Sequence, residues 1–380
     1  MNLIYLDYAA ATPMDPAVQA AMLPYFSDRF YNPSATYMAA IDVRRDLEAA
    51  RSKIASVIGA RSSEIVFTAG GTEANNLAIR GVMQQFPEGN LIVSAIEHES
   101  VLRTAHEYDC HEARVDTKGI IDVPALLAGI NDKTVLISVM YANNEVGSVQ
   151  PIHQISLGLE AIRRERQRVG NELPLYLHTD AAQAAAYLDV HASRLGADFI
   201  TFNGGKIYGP KQFGVLFVRA QARFKPQITG GGQERGLRSG TENVAGAIGF
   251  AKALELVQLR RHDEVARLQR LQRLFFDLVE EKIPHAIING SQKNRLPNNV
   301  HITLPDTDNE RILIQLDEAG ILCAAGSACS ASNEEPSHVL KAMGISEQDA
   351  QSSLRFSMGH GTTEEAIRKT VATLTSLLYT

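Results

Sequence analysis

Lys206 stands in the glycine-rich run Phe202-Asn-Gly-Gly-Lys-Ile-Tyr-Gly-Pro-Lys211, and Asp180 ends an apolar run in His178-Thr-Asp-Ala-Ala-Gln183. A lysine held by glycines between buried strands can condense with an aldehyde as a Schiff base. An acid set at a neighbouring strand end can keep a pyridine nitrogen protonated, and that ring is then an electron sink for a carbanion made beside it. The pair points to pyridoxal 5'-phosphate (PLP). Asp180 also suits a helix N-cap, with Gln183 three residues on in the capping pattern, so its assignment leans on Lys206.

Three further polar positions follow apolar runs. Phe67-Thr-Ala-Gly-Gly-Thr-Glu-Ala-Asn-Asn76 reads as strand, glycine turn and helix start. Backbone N–H groups around Gly71 and Thr72 and the positive helix end favour an anion, here the cofactor phosphate. An ordinary turn with Thr72 as N-cap explains the same residues. His98, in Ile96-Glu-His-Glu-Ser-Val101, could lie over a ring and shuttle protons, or serve structure alone. Asn143, in Tyr141-Ala-Asn-Asn-Glu-Val-Gly147, suits the ring hydroxyl or a substrate carboxylate, or a plain asparagine turn. Arg355, in Ser-Leu-Arg-Phe-Ser, offers a planar fork for a substrate carboxylate, with a surface ion pair as the competing account.

The cysteines differ in setting. Cys329 lies in Ala325-Gly-Ser-Ala-Cys-Ser-Ala-Ser-Asn-Glu-Glu-Pro336, among small polar residues, where a thiol could reach a substrate and react as thiolate. Cys323, in Gly-Ile-Leu-Cys-Ala, reads as strand core with a relay thiol as the minor alternative. Cys110 sits in Glu107-Tyr-Asp-Cys-His-Glu112, whose spacing matches no standard metal site, so solvated surface is expected and no metal.

Positioning these residues requires a scaffold. Short apolar runs at 64–68, 90–94, 135–141, 175–179, 197–202 and 214–218 alternate with helix-like segments, the pattern of a mostly parallel α/β sheet buried on both faces. Ligands gather at the carboxyl ends of such strands, where the polar motifs lie. After the glycine-rich stretch 230–240 comes a long helical pattern over 245–282, then a smaller α+β unit with strands near 299–304 and 354–357. The extended N-terminal residues join that unit or reach toward the cofactor. Two domains are expected: a large PLP-binding domain over 15–256, and a small one from 1–14 with 257–380 that carries the cysteine loop. A net charge of −6 argues against a dedicated nucleic-acid or membrane-surface binder. No secretory signal and no membrane-spanning run is read, and three cysteines make no disulfide framework, so a cytoplasmic setting is expected.

Taken in order, the motifs resemble the cysteine desulfurases of the nitrogen-fixation and iron–sulfur-cluster type, within the class V aminotransferase group of PLP enzymes. The resemblance spans nearly the whole chain. It takes in Tyr5-Leu-Asp-Tyr-Ala-Ala-Ala-Thr-Pro13, Asn32-Pro-Ser34, the Gly-Gly-Thr-Glu turn, Glu97-His98, Asn143 to Gly147, His178 to Asp180, Lys206-Ile-Tyr-Gly-Pro210, Arg238-Ser-Gly-Thr-Glu242, Gly326-Ser-Ala-Cys329, Glu335-Pro-Ser-His338 and Arg355. It implies PLP fold type I, of the aspartate aminotransferase kind. Lys206 would hold PLP, Asp180 pair with the ring nitrogen, Gln183 and Asn143 contact the ring oxygen, and His98 stack on the ring. Gly71 and Thr72 would hold the phosphate. Thr241 would reach the phosphate of a partner subunit, which implies a homodimer. L-cysteine would place its carboxylate on Arg355, Lys206 would take the Cα proton, and Cys329 would attack the sulfur. Products are L-alanine and a persulfide destined for an acceptor protein: an iron–sulfur scaffold, a tRNA-thiolation enzyme or a DNA phosphorothioation component. The loop around Cys329 resembles the longer, mobile version found in the family.

Two positions depart from the family. Ser-x-His-Lys is usual at the lysine, where serine and histidine bind the phosphate; here stand Asn203, Gly204, Gly205 and Lys206. Asn203 can still donate, but Gly205 has no side-chain donor. Losing one hydrogen bond to a charged group costs about 1.5–3 kcal/mol, roughly ten- to hundredfold in affinity. Tyr37 stands where histidine is common. The C-terminal extension that some relatives use to dock a scaffold is expected to be short or absent. The alternatives are a selenocysteine lyase or other class V PLP lyase, and a PLP-weakened paralogue acting as a scaffolding subunit.

Overall fold

The computed structural model describes residues 3–326 and 336–379; Cys329 therefore lies outside the described residues. The N-terminal strand β1 (Ile4–Tyr5) precedes seven strands of one sheet: β2 (Ile65–Thr68), β3 (Asn90–Ser94), β4 (Cys110–Ala113), β5 (Thr134–Ser138), β6 (Tyr176–Asp180), β7 (Phe199–Asn203) and β8 (Gly214–Val218). Their spatial order is β2-β8-β7-β6-β5-β3-β4. β4, β3, β5, β6 and β7 run parallel, and β8 is antiparallel to both its neighbours. Strands β2, β3, β5 and β8 are buried throughout, as their mostly apolar and uncharged composition requires of a sheet covered on both faces.

The expected strands are present with boundaries shifted by a few residues, and one strand of the seven-stranded sheet was missed. β4 is Cys-His-Glu-Ala, a half-exposed edge strand in which polar residues face solvent. The Cys110 segment is thus an edge strand rather than plain solvated surface. Burial pushes its thiol up to about 12.

A second sheet has the order β12 (Ser353–Ser357), β10 (Asn299–Thr303), β9 (Ile287–Ile288), and β1 pairs in parallel with β11 (Ile321–Leu322). The N-terminal residues pair with this smaller unit through β1, and the carbonyls of Ala9 and Ala10 accept from the Lys206 amine. The helix Val244–Lys282 spans about 58 Å at 1.5 Å per residue. It packs on the helices Met38–Ile58 and Pro16–Met22, and on the helix Glu364–Tyr379 and β10. Residue 256, the expected domain division, falls inside this continuous helix. Among the described residues no helix is long and apolar enough to cross a membrane.

Candidate active site

The carboxyl ends of β2, β3, β6 and β7 deliver the sequence motifs to one place. β7 ends in Asn203, whose Oδ1 accepts from the Gly205 N–H at 3.1 Å and turns the chain into a single 3-10 turn, Gly204–Lys206. Gly204 is required there, because an added Cβ would lie 2.5 Å from the Pro210 carbonyl oxygen. Gly205 is different: the nearest atoms to an added Cβ would be Asn203 Oδ1 and Lys211 Cγ, each at 3.6 Å, ordinary contact. The turn aims Lys206 at the N-terminal segment, where its Nζ donates to the carbonyls of Ala9 (2.8 Å) and Ala10 (2.6 Å). Gln183 Nε2 donates to the same Ala9 carbonyl at 2.9 Å.

The helix Gly71–Gln85 begins after Gly70, which is the N-cap and offers no side chain, so Thr72 is not the cap. Backbone N–H groups at an uncapped helix start are a ready anion site. They border a cavity of about 610 Å³, together with Asn203, Gly205, Lys206 and Lys211. Lys211 Nζ donates to the Thr12 carbonyl at 2.8 Å. An adjoining cavity of about 200 Å³ shares Gly71, Thr72, Asn203 and Lys206, and adds His98, Asp180, Gln183 and Arg355. Lys206 thus borders both an anion-binding end and a carboxylate end.

Asp180 is buried, and both of its oxygens are engaged. Oδ1 accepts from the Ala182 N–H and Oδ2 from Asn75 Nδ2, each at 2.8 Å. One oxygen therefore caps a turn, as its sequence context allowed, while the other faces a side chain from the helix Gly71–Gln85. His98 is itself the N-cap of the helix Glu99–Ala105: Nδ1 accepts from the Ser100 N–H at 3.1 Å. Beside it Glu97 is wholly buried, and desolvation, with the Asp180 charge adding to it, raises its carboxyl well above the usual range against a 2.5 Å bond from the Met140 N–H.

Arg355, 1% exposed, lies on β12 and gives Asp7 Oδ1 a 2.7 Å bond and the Asn144 carbonyl a 3.1 Å bond. Its buried Nε has no partner within the described residues. Asn143 lies beneath the cavity, not on its wall. Its Oδ1 accepts from the Glu145 and Val146 N–H groups and its Nδ2 donates to the Ile96 carbonyl, while Asn144 borders the cavity. Thr241 is exposed and borders neither cavity of its own chain.

The chain on either side of the segment that carries Cys329 is anchored here. Ala324 exchanges backbone hydrogen bonds with Arg355, and beyond the segment Ser337 donates to Glu145 Oε2 at 2.6 Å while His338 Nε2 lies 2.9 Å from the Glu97 carbonyl. Burial, with Asp7 adding to it, pushes the Cys323 thiol up to about 12, so it is protonated and weakly nucleophilic at neutral pH. Sequence reasoning missed Asn75, Ser100, Asp7 and Asn144. Only the adjacency of Asn75 to the Gly-Gly-Thr-Glu turn and of Ser100 to His98 could have pointed to them.

A lysine amine, an uncapped helix start and a donor-held carboxylate around connected cavities fit the aldehyde, phosphate and ring nitrogen of PLP. Residues 4–369 match the model of the family Aminotransferase class-V. The chain is 40% identical to the cysteine desulfurase IscS of Dictyoglomus turgidum over 99% of its own length and 94% of the relative's. Among solved structures it resembles a NifS-like protein (TM-score 0.90, 28% identity, 99% of each chain) and SspA in complex with cysteine (TM-score 0.79, 35% identity, 93% of this chain and 98% of that one). Fold and site define a PLP-dependent enzyme of fold type I, and the chain belongs to the class V aminotransferase family, among its cysteine desulfurases.

Proposed function

We propose that the protein takes sulfur from free L-cysteine, releases L-alanine and carries the sulfur as a persulfide on Cys329 to an acceptor protein. The observation that supports this most is the meeting of Lys206, Asp180, His98 and Arg355 on one cavity, with the chain before the Cys329 segment bonded to Arg355 and the chain after it bonded to Glu97, next to His98. When bound, PLP supplies the sink for the electrons left on substrate Cα. Arg355 receives the substrate carboxylate, exchanging part of its contact with Asp7, and so sets Cα before Lys206. The Lys206 amine takes the Cα proton. The Cys329 thiolate attacks the substrate sulfur, a new S–S bond forms as the Cβ–S bond breaks, the electrons left on Cβ are taken up with a proton to give a methyl group, and Lys206 returns a proton to Cα to complete L-alanine.

Thr241 is exposed and faces no cavity of its own chain, which supports a homodimer in which it reaches the phosphate of the partner's site. SspA, the 35% identical structure, holds cysteine, which supports L-cysteine as substrate here. A cytoplasmic location and a sulfur acceptor of the iron–sulfur scaffold, tRNA-thiolation or DNA phosphorothioation kind complete the reading. The test is direct. Purified protein should show a PLP absorbance band and form alanine and sulfide from L-cysteine, and Cys329→Ser should abolish both products. Undiminished alanine formation by Cys329→Ser would sink the persulfide step. No band even with excess PLP would favour a scaffolding subunit.

A further inference from the structure

The helix that starts at the phosphate turn also reaches the other end of the site through Asn75. This side chain is 1% exposed, and its single amide nitrogen donates twice: to Asp180 Oδ2 at 2.8 Å and to Ser100 Oγ at 2.9 Å. Ser100 Oγ in turn lies 2.8 Å from His98 Nδ1. The direction of each bond follows from what each atom can do. A carboxylate only accepts, so the amide nitrogen rather than the amide oxygen must face Asp180. The Ser100 backbone N–H only donates, and it points at His98 Nδ1 from 3.1 Å. His98 Nδ1 must therefore carry its lone pair, and the Ser100 hydroxyl, already accepting from Asn75, turns its proton the same way. The proton of the neutral ring then sits on Nε2.

A further observation sets Asn75 apart from an asparagine that merely ties two helices together. Its Oδ1 is buried without a partner among the described residues. An unsatisfied buried acceptor is costly, and here it leaves the amide nitrogen as the working end of the side chain. Both donors are instead spent on Asp180 and on the Ser100 hydroxyl, which in turn meets His98.

We propose that Asn75 and Ser100 are positioning residues that connect Asp180 to His98 and hold His98 as the neutral tautomer protonated on Nε2. The inference rests on the PLP reading for its purpose. Beside a ring nitrogen kept protonated by Asp180, a neutral imidazole avoids like-charge repulsion, and its one proton is presented from Nε2.

The experiment is nitrogen NMR on PLP-free protein labelled with 15N-histidine, with the His98 signals identified by their loss in His98→Gln. Wild type should show an unprotonated Nδ1 and a protonated Nε2. Ser100→Ala and Asn75→Ala should each shift the tautomer ratio toward Nδ1–H by roughly three- to tenfold, the range that one hydrogen bond gives, and Ser100→Thr should restore it. Ser100 is half-buried, so Ser100→Ala keeps the test decisive if Asn75→Ala fails to fold. A proton on Nδ1 in wild type, or an unmoved ratio in Ser100→Ala, overturns the proposal. Failure of the wild type to bind PLP would overturn the functional reading instead and leave the tautomer measurement standing.

Discussion

Gly205 is where a single side chain has the largest leverage on cofactor affinity. The site has room for a Cβ there, 3.6 Å from its nearest neighbours, and the position faces the cavity bordered by the helix start. Gly205→His should therefore slow PLP release roughly ten- to hundredfold, the range of one added hydrogen bond to a charged group. The measurement is PLP loss on dialysis; an unchanged rate would mean that Lys211 or Asn203 already fills the role. Glu97 gives a pH prediction. Its folded-state carboxyl binds a proton more tightly than it would in the unfolded chain, because burial disfavours the charge. The unfolded state thus holds fewer protons above the usual carboxylate range, and stability falls as pH rises through that window. Glu97→Gln removes this loss, so its melting temperature relative to wild type should climb between pH 4.5 and pH 8. A constant difference across that range would show that Glu97 is ionised in the fold.

At the scale of elements, the glycine-rich stretch 230–240 is pinned through side chains. Glu234, at positive φ, is buried and takes a bidentate bond from Arg51 of the helix Met38–Ile58, at 2.6 and 2.7 Å, and a third from the Phe67 N–H of β2. Arg238, further along, pairs with Glu73 on the first turn of the helix Gly71–Gln85 at 2.8 Å. Removing one partner of a buried pair strands a charge, so Arg51→Met should destabilise the protein by about 3–5 kcal/mol in urea denaturation. Arg51→Met with Glu234→Leu should recover much of that loss; equal destabilisation by the double variant would argue that the pair is needed for packing and not only for charge balance. The same elements show what periodicity can and cannot reveal. Long apolar strands such as β5 and β8 announce themselves, because burial on both faces demands it. The polar edge strand β4 and the two-residue strands β1, β9 and β11 do not, since pairing partners define them.

For the whole molecule, the proposed homodimer would tie cofactor retention to assembly through Thr241, which borders neither cavity of its own chain. Dilution that dissociates the dimer should release PLP, and Thr241→Ala should release it faster at concentrations where the dimer persists, as read by sedimentation with absorbance detection. PLP retention indifferent to dissociation would make each site self-sufficient. What the sequence by itself made legible was the candidate reacting set and its frame. Lys206 after a strand and two glycines, Asp180 at a strand end, the Gly-Gly turn and a cysteine among small polar residues are local patterns, and local patterns survive in a linear chain. Tertiary structure decided everything that depends on distant segments meeting. It turned Asn143 inward and left Asn144 at the wall, brought Asp7 against Arg355 from 348 residues away, ran β8 antiparallel, and placed Asn75 between Asp180 and Ser100. Hydrogen-bond direction between side chains is fixed only when the fold brings a donor to an acceptor, and no spacing along the chain encodes it.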